Sequence, residues 1–250
     1  MFKSSSLIDD ARDIWDAGVR AVEAGKLVNE FVKITEHSVQ LGTETIDFAA
    51  CRRLVVIGFG KASGAMAVGL EQRLGEEVLQ KLNAVGKINV PDDRLFDSEF
   101  FEVLGCRPEA VNMPTERVLD ATSEILDLLQ SVGPEDVVVC LISGGGSALL
   151  EKPVDSISLA ELRATTEFLS ASGASIYQLN AVRRELSQVK GGGLARVCNA
   201  KMISLIISDV VGDDLSVIAS GPTCLSVNDF TALEVLLQFD SLREAVPEAV

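Results

Sequence analysis

Short, continuously apolar runs alternate along the chain with longer segments in which apolar residues recur every three or four positions. The short runs predict five β-strands, because fully buried strands are apolar on both faces. Their sequences are RRLVVIGFG from Arg52, NAVGKINV from Asn83, FFEVLG from Phe100, DVVVCLI from Asp136 and AKMISLIIS from Ala200.

The segments with three- and four-residue periodicity predict helices between and around these strands. The helix that starts at Pro114 has the clearest boundaries, since proline suits a first helical turn and Gly133 follows its end. The predicted helical segments cover residues 5–35, 61–75, 114–130, 155–173 and 175–198, the last on either side of a glycine triplet.

This alternation predicts an α/β fold: a three-layer, Rossmann-like domain whose mainly parallel sheet is covered by helices on both faces. In such sheets ligands bind beyond the carboxyl ends of the strands. The three strongest strands each end there in an unusual loop, with the sequences GFGK, SGGGSA and SDVVGDD. We therefore expect the functional site at that edge of the sheet.

Composition narrows the classes of function. The 250 residues carry a formal net charge of -15, which opposes a nucleic-acid backbone. Acids near the N-terminus argue against a secretory or mitochondrial leader, and no apolar stretch has membrane-spanning length. Five widely spread cysteines suit reduced thiols, and we expect a cytoplasmic protein. The only histidine, His37, lies in a polar helical pattern and is expected to be exposed and structural.

The loop after the strand at Asp136 contains the residues Ser143, Gly144, Gly145, Gly146 and Ser147. Three consecutive glycines allow successive backbone amides to turn toward one anion, and the two serines add hydroxyl groups. A tight turn between closely packed elements is the alternative. We favour an anion site, because a turn rarely requires three glycines.

The segment GFGKASG places Lys61 where a strand passes into a helix. It matches neither the dinucleotide-binding spacing nor the P-loop spacing of glycines. Unpaired amides at a helix start favour an anion, and an ammonium group there would stabilise a phosphoryl group. Lys61 is thus a candidate for phosphoryl transfer or, alternatively, a solvated residue at a helix start.

Two further segments carry candidate side chains. Asn180, Arg183 and Ser187 share one helix face and could point together at a ligand, with Lys190 following at a glycine break; an ordinary solvated face is the alternative. Asp209 follows a buried strand and is the better Mg²⁺ candidate, whereas Asp213 and Asp214 are expected to be turn residues.

Anion-binding loops, lysines and an acidic site together indicate phosphoryl transfer, which depends on positioning and charge neutralisation. Four segments, VVIGFGKASGAMA, LISGGGSALL, LNAVRRELSQVKGGGLA and SLIISDVVGDDLSVIASGPT, resemble in this order the N-terminal domain of the class II glycerate kinases, the MOFRL-associated family. The segment EAVNMPTERVLDA is similar to the animal members of this family.

The resemblance implies phosphorylation of D-glycerate, most simply to 2-phosphoglycerate, with ATP and Mg²⁺. It implies that Lys61 is the catalytic lysine, that residues 143–147 bind a ligand, that Arg183 and Lys190 contact anionic groups, and that Asp209 positions metal or substrate. It also implies a single N-terminal domain over residues 1–250 without the family's C-terminal domain. The sequence leaves open homo-oligomerisation and two other functions: a truncated, non-catalytic isoform that binds nucleotide or a protein partner, and a dinucleotide-binding protein.

Overall fold

The computed structural model describes residues 6–225 and 231–239. In chain order its helices and strands are α1 (Leu7–Ala21), α2 (Ala24–Phe31), β1 (Val32–Ile34), β2 (Ser38–Leu41), β3 (Glu44–Asp47), β4 (Arg53–Phe59), α3 (Ser63–Lys81), β5 (Val85–Pro91), β6 (Phe101–Arg107), α4 (Glu116–Gln130), β7 (Asp136–Ser143), α5 (Leu159–Ala171), α6 (Ile176–Glu185), α7 (Gly193–Val197), β8 (Lys201–Ile207) and α8 (Ala232–Leu237). Short 3₁₀ turns cover Asp92–Arg94, Gly146–Ala148 and Ile218–Ser220.

The five predicted strands form one parallel sheet in the order β6-β5-β4-β7-β8. Within this sheet the chain passes from β4 outward to β5 and β6, and it then returns to the other side of β4 to form β7 and β8. The strand order therefore reverses between β4 and β7. In an open α/β sheet, such a reversal creates a crevice at the carboxyl ends of the two strands.

Both faces of this sheet are buried, which confirms the three-layer α/β fold. Alternate side chains of β4 point to opposite faces: Val56 packs in the cluster that contains Met66 of α3, and Val55 packs in the cluster that contains Ile125 of α4. Every residue of β7 is buried. The continuous apolar runs in the sequence are thus explained by helices on both sides.

The N-terminal prediction of one helix over residues 5–35 is wrong. The helix breaks after Ala21, α2 ends at Phe31, and the chain then forms a small antiparallel sheet in the order β1-β2-β3. The apolar periodicity that suggested one long helix lies mainly on α1, which contributes no buried residue. His37 is exposed, as expected, but lies between β1 and β2 rather than on a helix.

Within residues 6–225 and 231–239, each helix is too short or too polar to span a bilayer. The predicted single domain over residues 1–250 extends beyond these described ranges and stays a prediction.

A buried carboxylate at the amino end of the sheet provides a first test of the fold. The side chain of Asp136 is fully buried, and it accepts hydrogen bonds from Arg52 Nε at 3.0 Å and from the Gly133 amide at 3.0 Å. Burial acts to raise the pKa of Asp136, but the hydrogen bonds from Arg52 and Gly133 and the charge of Arg53 outweigh it, so the pKa lies below its ordinary value.

We expect Asp136→Asn to lower the free energy of unfolding by about 1 to 3 kcal/mol at pH 7. Because the folded-state pKa of Asp136 is lowered, the stabilisation is present above the unfolded-state pKa and is lost as pH falls through the folded-state value. Urea unfolding of both proteins at pH 7 and pH 3 measures this. Asp120→Asn, at an exposed position of α4, is the control. A difference between wild type and Asp136→Asn that is the same at both pH values would contradict the prediction.

Candidate functional site

The loops that follow β4 and β7 are joined at the point where the strand order reverses. The Lys61 amide donates a hydrogen bond to the Gly144 carbonyl oxygen at 3.0 Å. The Ala62 amide donates to Ser143 Oγ at 2.9 Å. These bonds fix the start of α3 against the triple-glycine turn, so the two loops form one unit.

Gly60 permits this close approach. Its φ is +127°, and a Cβ at this position would lie 2.4 Å from Ser143 Oγ and 2.6 Å from the Ser143 carbonyl oxygen. A side chain there would therefore overlap the backbone of β7. Gly60 is needed both for its backbone conformation and for clearance.

Each glycine of the turn has its own close neighbour. A Cβ on Gly144 would lie 2.1 Å from Asp209 Oδ2, and one on Gly145 would lie 3.1 Å from Lys61 Cε. A Cβ on Gly146 would lie 2.8 Å from the Ala219 Cβ. Lys61 and Asp209, which are far apart in sequence, thus pack on adjacent glycines of one turn.

Two pockets lie at this edge of the sheet. The larger, about 880 Å³, is bounded by α2, the first turns of α3 and residues 93–96. The smaller, about 260 Å³, is lined by Gly145 and Ser147 of the glycine turn, by Arg183 and by residues 112–114. Within the described part of the chain, Lys61 is the residue that lines both pockets.

The amino end of α3 also lines the larger pocket. Gly64 and Ala65 line it, and no side chain in the described ranges caps this helix at Ala62. The first amides of a helix have no acceptor within the helix, and they favour a negative charge. This end of α3 and Lys61 therefore present donors to the same pocket.

Arg183 is the second cation at the smaller pocket. Its side chain is partly buried, and burial lowers its pKa from the ordinary value, opposed by the nearby Glu151 carboxylate. Among residues 6–225 and 231–239, its guanidinium group makes no hydrogen bond and no ion pair. Its donors are available to a ligand in the pocket.

Lys190 is buried, with an exposed fraction of 1%. Its ammonium group donates to Glu151 Oε2 at 2.5 Å and to the carbonyl oxygens of Ser147 and Leu150 at 3.3 Å each. Burial lowers the pKa of Lys190, and the Glu151 carboxylate opposes this. Lys190 thus stabilises the end of the glycine turn through hydrogen bonds on its buried side. Direct contact between Lys190 and an anionic ligand stays a prediction.

Ser143 and Asn180 are also buried, with exposed fractions of 2% and 1%. Ser143 Oγ accepts the Ala62 amide, and Asn180 Oδ1 accepts the Ser220 hydroxyl at 3.0 Å. Ser187, on the same predicted helix face, donates to Glu151 Oε1 at 2.6 Å. Of the three residues expected to point together at a ligand, Arg183 lines the pocket, while Asn180 and Ser187 contact protein groups.

Asp209 is exposed beside Gly144, outside the linings of the two pockets. A single carboxylate at the turn is compatible with Mg²⁺, which often takes one or two carboxylates together with substrate phosphates. Across the described ranges, no group of three or more His, Cys, Asp or Glu side chains could hold a metal by itself. Asp214 accepts hydrogen bonds from the Ser216 amide and hydroxyl, which confirms it as a turn residue.

Glu151 and Ser220 belong to the site but were not predicted from the sequence. Glu151 has an exposed fraction of 2% and pairs with Lys190, and Ser220 is fully buried between Ser147 and Asn180. An acid that directly follows the apolar residues ALL was the available signal for Glu151. Nothing in the local pattern indicates that Lys190 is buried and therefore requires that acid.

Comparison with known proteins agrees with the resemblance found in the sequence. The profile of the family described as "Domain of unknown function (DUF4147)" matches residues 10–250. A glycerate kinase from Bos taurus is 36% identical over 100% of this chain and 49% of its own length. A D-glycerate 2-kinase from Thermotoga maritima is 38% identical over 90% of this chain and 54% of its own length.

A putative hydroxypyruvate reductase from Agrobacterium vitis is 44% identical over 68% of this chain and 37% of its own length. A crystal structure of a protein from Pyrococcus horikoshii superposes with a TM-score of 0.81 at 32% identity, over 99% of this chain and 54% of that one. The chain spans about half the length of the curated glycerate kinases it matches. The match to the family model over nearly the whole chain shows that this protein belongs to the DUF4147 family.

Proposed function

We propose that this chain is the part of an ATP-dependent D-glycerate kinase that contains the catalytic Lys61. The product of the reaction would be 2-phosphoglycerate. The observation that carries the proposal is the position of Lys61, which packs on the glycine turn and lines both pockets. The names of the relatives from Bos taurus and Thermotoga maritima supply the reaction and the substrate.

The larger pocket has the size needed for a nucleotide, and the smaller pocket has the size needed for a three-carbon acid. The larger pocket, about 880 Å³, has room for ATP and would bind its phosphates with the first amides of α3. The smaller pocket, about 260 Å³, would hold glycerate. There the guanidinium group of Arg183 would bind the carboxylate, since a planar fork of donors matches two carboxylate oxygens.

Between the two ligands, Lys61 would stabilise the charge of the phosphoryl group in transit. The glycerate hydroxyl oxygen forms a bond to the γ-phosphorus, the bond from that phosphorus to the β–γ bridging oxygen breaks, and the hydroxyl proton passes to solvent. This reaction depends on positioning and charge neutralisation. The carbon atoms of the Lys61 side chain pack on the glycine turn, and the ammonium group would supply the positive charge.

Asp209, beside Gly144, would be the Mg²⁺ ligand of this site. Bound Mg²⁺ would neutralise negative charge on the phosphates of ATP. The five cysteines are all free thiols, which supports our assignment to the cytoplasm, a reducing compartment.

The test is ³¹P NMR of this chain with ATP, Mg²⁺ and D-glycerate. We expect the resonance of 2-phosphoglycerate to grow as ATP is consumed. Samples with L-glycerate or without acceptor are the controls. A 3-phosphoglycerate signal would correct the hydroxyl assigned here, and the absence of any phosphoglycerate, with ATP bound, would contradict kinase activity of this chain.

One observation favours the second candidate function, a binding module without catalysis. Helix α1 buries none of its residues and exposes a large apolar surface. Leu7, Ile14 and Trp15 have exposed fractions of 88%, 74% and 72%. Apolar surface of this kind marks contact sites for other polypeptides. Calorimetry that detects ATP binding in a preparation without turnover would support this function.

A further inference from the structure

The hydroxyl group of Ser147 lines the smaller pocket, and a buried network determines which way its proton points. Ser220 Oγ donates to Asn180 Oδ1 at 3.0 Å, since an amide oxygen can only accept. The Ser147 and Ser220 hydroxyl oxygens are 2.9 Å apart. Because the single proton of Ser220 is already donated to Asn180, Ser147 is the donor in this second bond. The Ser147 oxygen therefore presents only lone pairs to the pocket.

The network is held in place by its surroundings. Ser220 has a φ of +64° and lies between Ala219 at +51° and Gly221 at +67°, so three consecutive residues are in the left-handed region. Such a conformation is costly for non-glycine residues and persists only where neighbouring structure fixes it. Here the Gly191 amide donates to the Ser220 carbonyl oxygen at 3.1 Å, and the Gly192 amide donates to Gly221 at 2.7 Å.

The charged groups around the same pocket do not duplicate this acceptor. Lys61 and Arg183 are cations and can only donate. The Glu151 carboxylate has an exposed fraction of 2% and accepts hydrogen bonds from Lys190, Ser187 and the Lys152 amide. The cations suit the carboxylate of a hydroxy acid, whereas the Ser147 oxygen suits a group that donates a proton, such as the acid's hydroxyl.

We propose that Ser147 is a specificity-determining residue, whose oxygen accepts a hydrogen bond from one hydroxyl of a small hydroxy acid in the smaller pocket. Ser220 and Asn180 are the positioning residues that set the direction of this bond. The inference rests on the proposed function, because it takes D-glycerate as the ligand. This hydrogen bond would allow the site to distinguish hydroxy acids that differ by one hydroxyl group.

Titration calorimetry on the whole chain, with a non-hydrolysable ATP analogue and Mg²⁺ present, tests the proposal without requiring turnover. The ligands are D-glycerate, D-lactate, which lacks the 3-hydroxyl, and 3-hydroxypropanoate, which lacks the 2-hydroxyl. We expect Ser147→Ala to weaken D-glycerate binding about tenfold, the effect of one lost hydrogen bond of ordinary strength. For the analogue that lacks the contacted hydroxyl, the same substitution should leave the affinity unchanged.

Ser220→Ala is the second variant, because it leaves the Ser147 hydroxyl in the pocket but removes its acceptor. We expect it to weaken D-glycerate binding by a smaller factor and to spare the same analogue. Ser170→Ala, at an exposed position on α5, is the matched control. Circular dichroism and thermal unfolding establish that each variant is folded.

Equal loss of affinity for all three ligands on Ser147→Ala, or no loss for D-glycerate, would overturn the proposal while leaving the proposed function intact. Failure of the wild-type chain to bind D-glycerate under these conditions would overturn both.

Discussion

Replacing Lys61 by alanine is expected to lower kcat for ATP-dependent glycerate phosphorylation by about 10²- to 10³-fold, the usual effect of removing one group that stabilises transition-state charge. The fold should be unaffected. Lys61 is exposed, and although its side chain packs on Gly145, its hydrogen bond to the glycine turn is made by the backbone amide, which alanine retains. In the described ranges its ammonium group has no hydrogen-bonding or ion-pair partner in the protein.

Steady-state kinetics with purified wild type, Lys61→Ala and Lys61→Arg would measure this. Lys61→Arg retains the charge on a bulkier group and should be intermediate in kcat. Lys33→Ala, at an exposed position on β1, is the control for loss of a surface charge. If the kcat of Lys61→Ala stays within a few-fold of wild type, Lys61 does not act on the reacting phosphoryl group.

Replacing Lys190 by methionine is expected to lower the free energy of unfolding by about 3 to 5 kcal/mol, the typical cost of leaving one partner of a buried ion pair uncompensated. Lys190 and Glu151 are 1% and 2% exposed at their side chains. The substitution keeps the length of the side chain but removes the charge that opposes the Glu151 carboxylate. It also removes the hydrogen bonds to the Ser147 and Leu150 carbonyl oxygens.

Urea unfolding of Lys190→Met, Glu151→Gln and the double variant separates these effects. The double variant should recover part of the lost stability, because it leaves no buried charge. Lys26→Met is the matched control: the Lys26–Glu30 pair is 3.8 Å apart with side chains 52% and 63% exposed, so its loss should cost at most about 1 kcal/mol. A cost for Lys190→Met no larger than that of Lys26→Met would show that the buried pair does not stabilise the turn.

The agreement between sequence and structure is closest where a residue's environment follows from its immediate neighbours. The runs LVVI in β4 and VVVCLI in β7 predicted strands buried on both faces, and helices cover both faces of the sheet. The prediction of one helix over residues 5–35 was wrong at the break after Ala21 and at residues 32–35, because amphipathic periodicity reports a helix's pattern but not where that helix ends. The apolar positions of α1 are exposed rather than packed on the sheet.

Lys61 and Lys190 show what local pattern leaves undecided at the site. Both are lysines beside glycines, and the family resemblance implies that both act on anionic groups. Lys61 lies between the end of β4 and the start of α3 and is exposed. Lys190 is buried beneath the glycine turn, where it donates a hydrogen bond to the Ser147 carbonyl oxygen. The difference depends on the packing of residues 147–151 against the segment after α6, about 40 positions away in the chain.

The sequence by itself determined the family, through the resemblance of four motifs. It also determined the parallel sheet and the edge of the sheet at which the unusual loops lie, because these depend on apolar periodicity and on glycines at strand ends. Only the tertiary structure decided that β4 and β7 are neighbours at the reversal of strand order, that Asp209 packs on Gly144, and that Glu151 and Ser220 complete the site. These are contacts between residues far apart in the chain, and their geometry is set by strand order and packing.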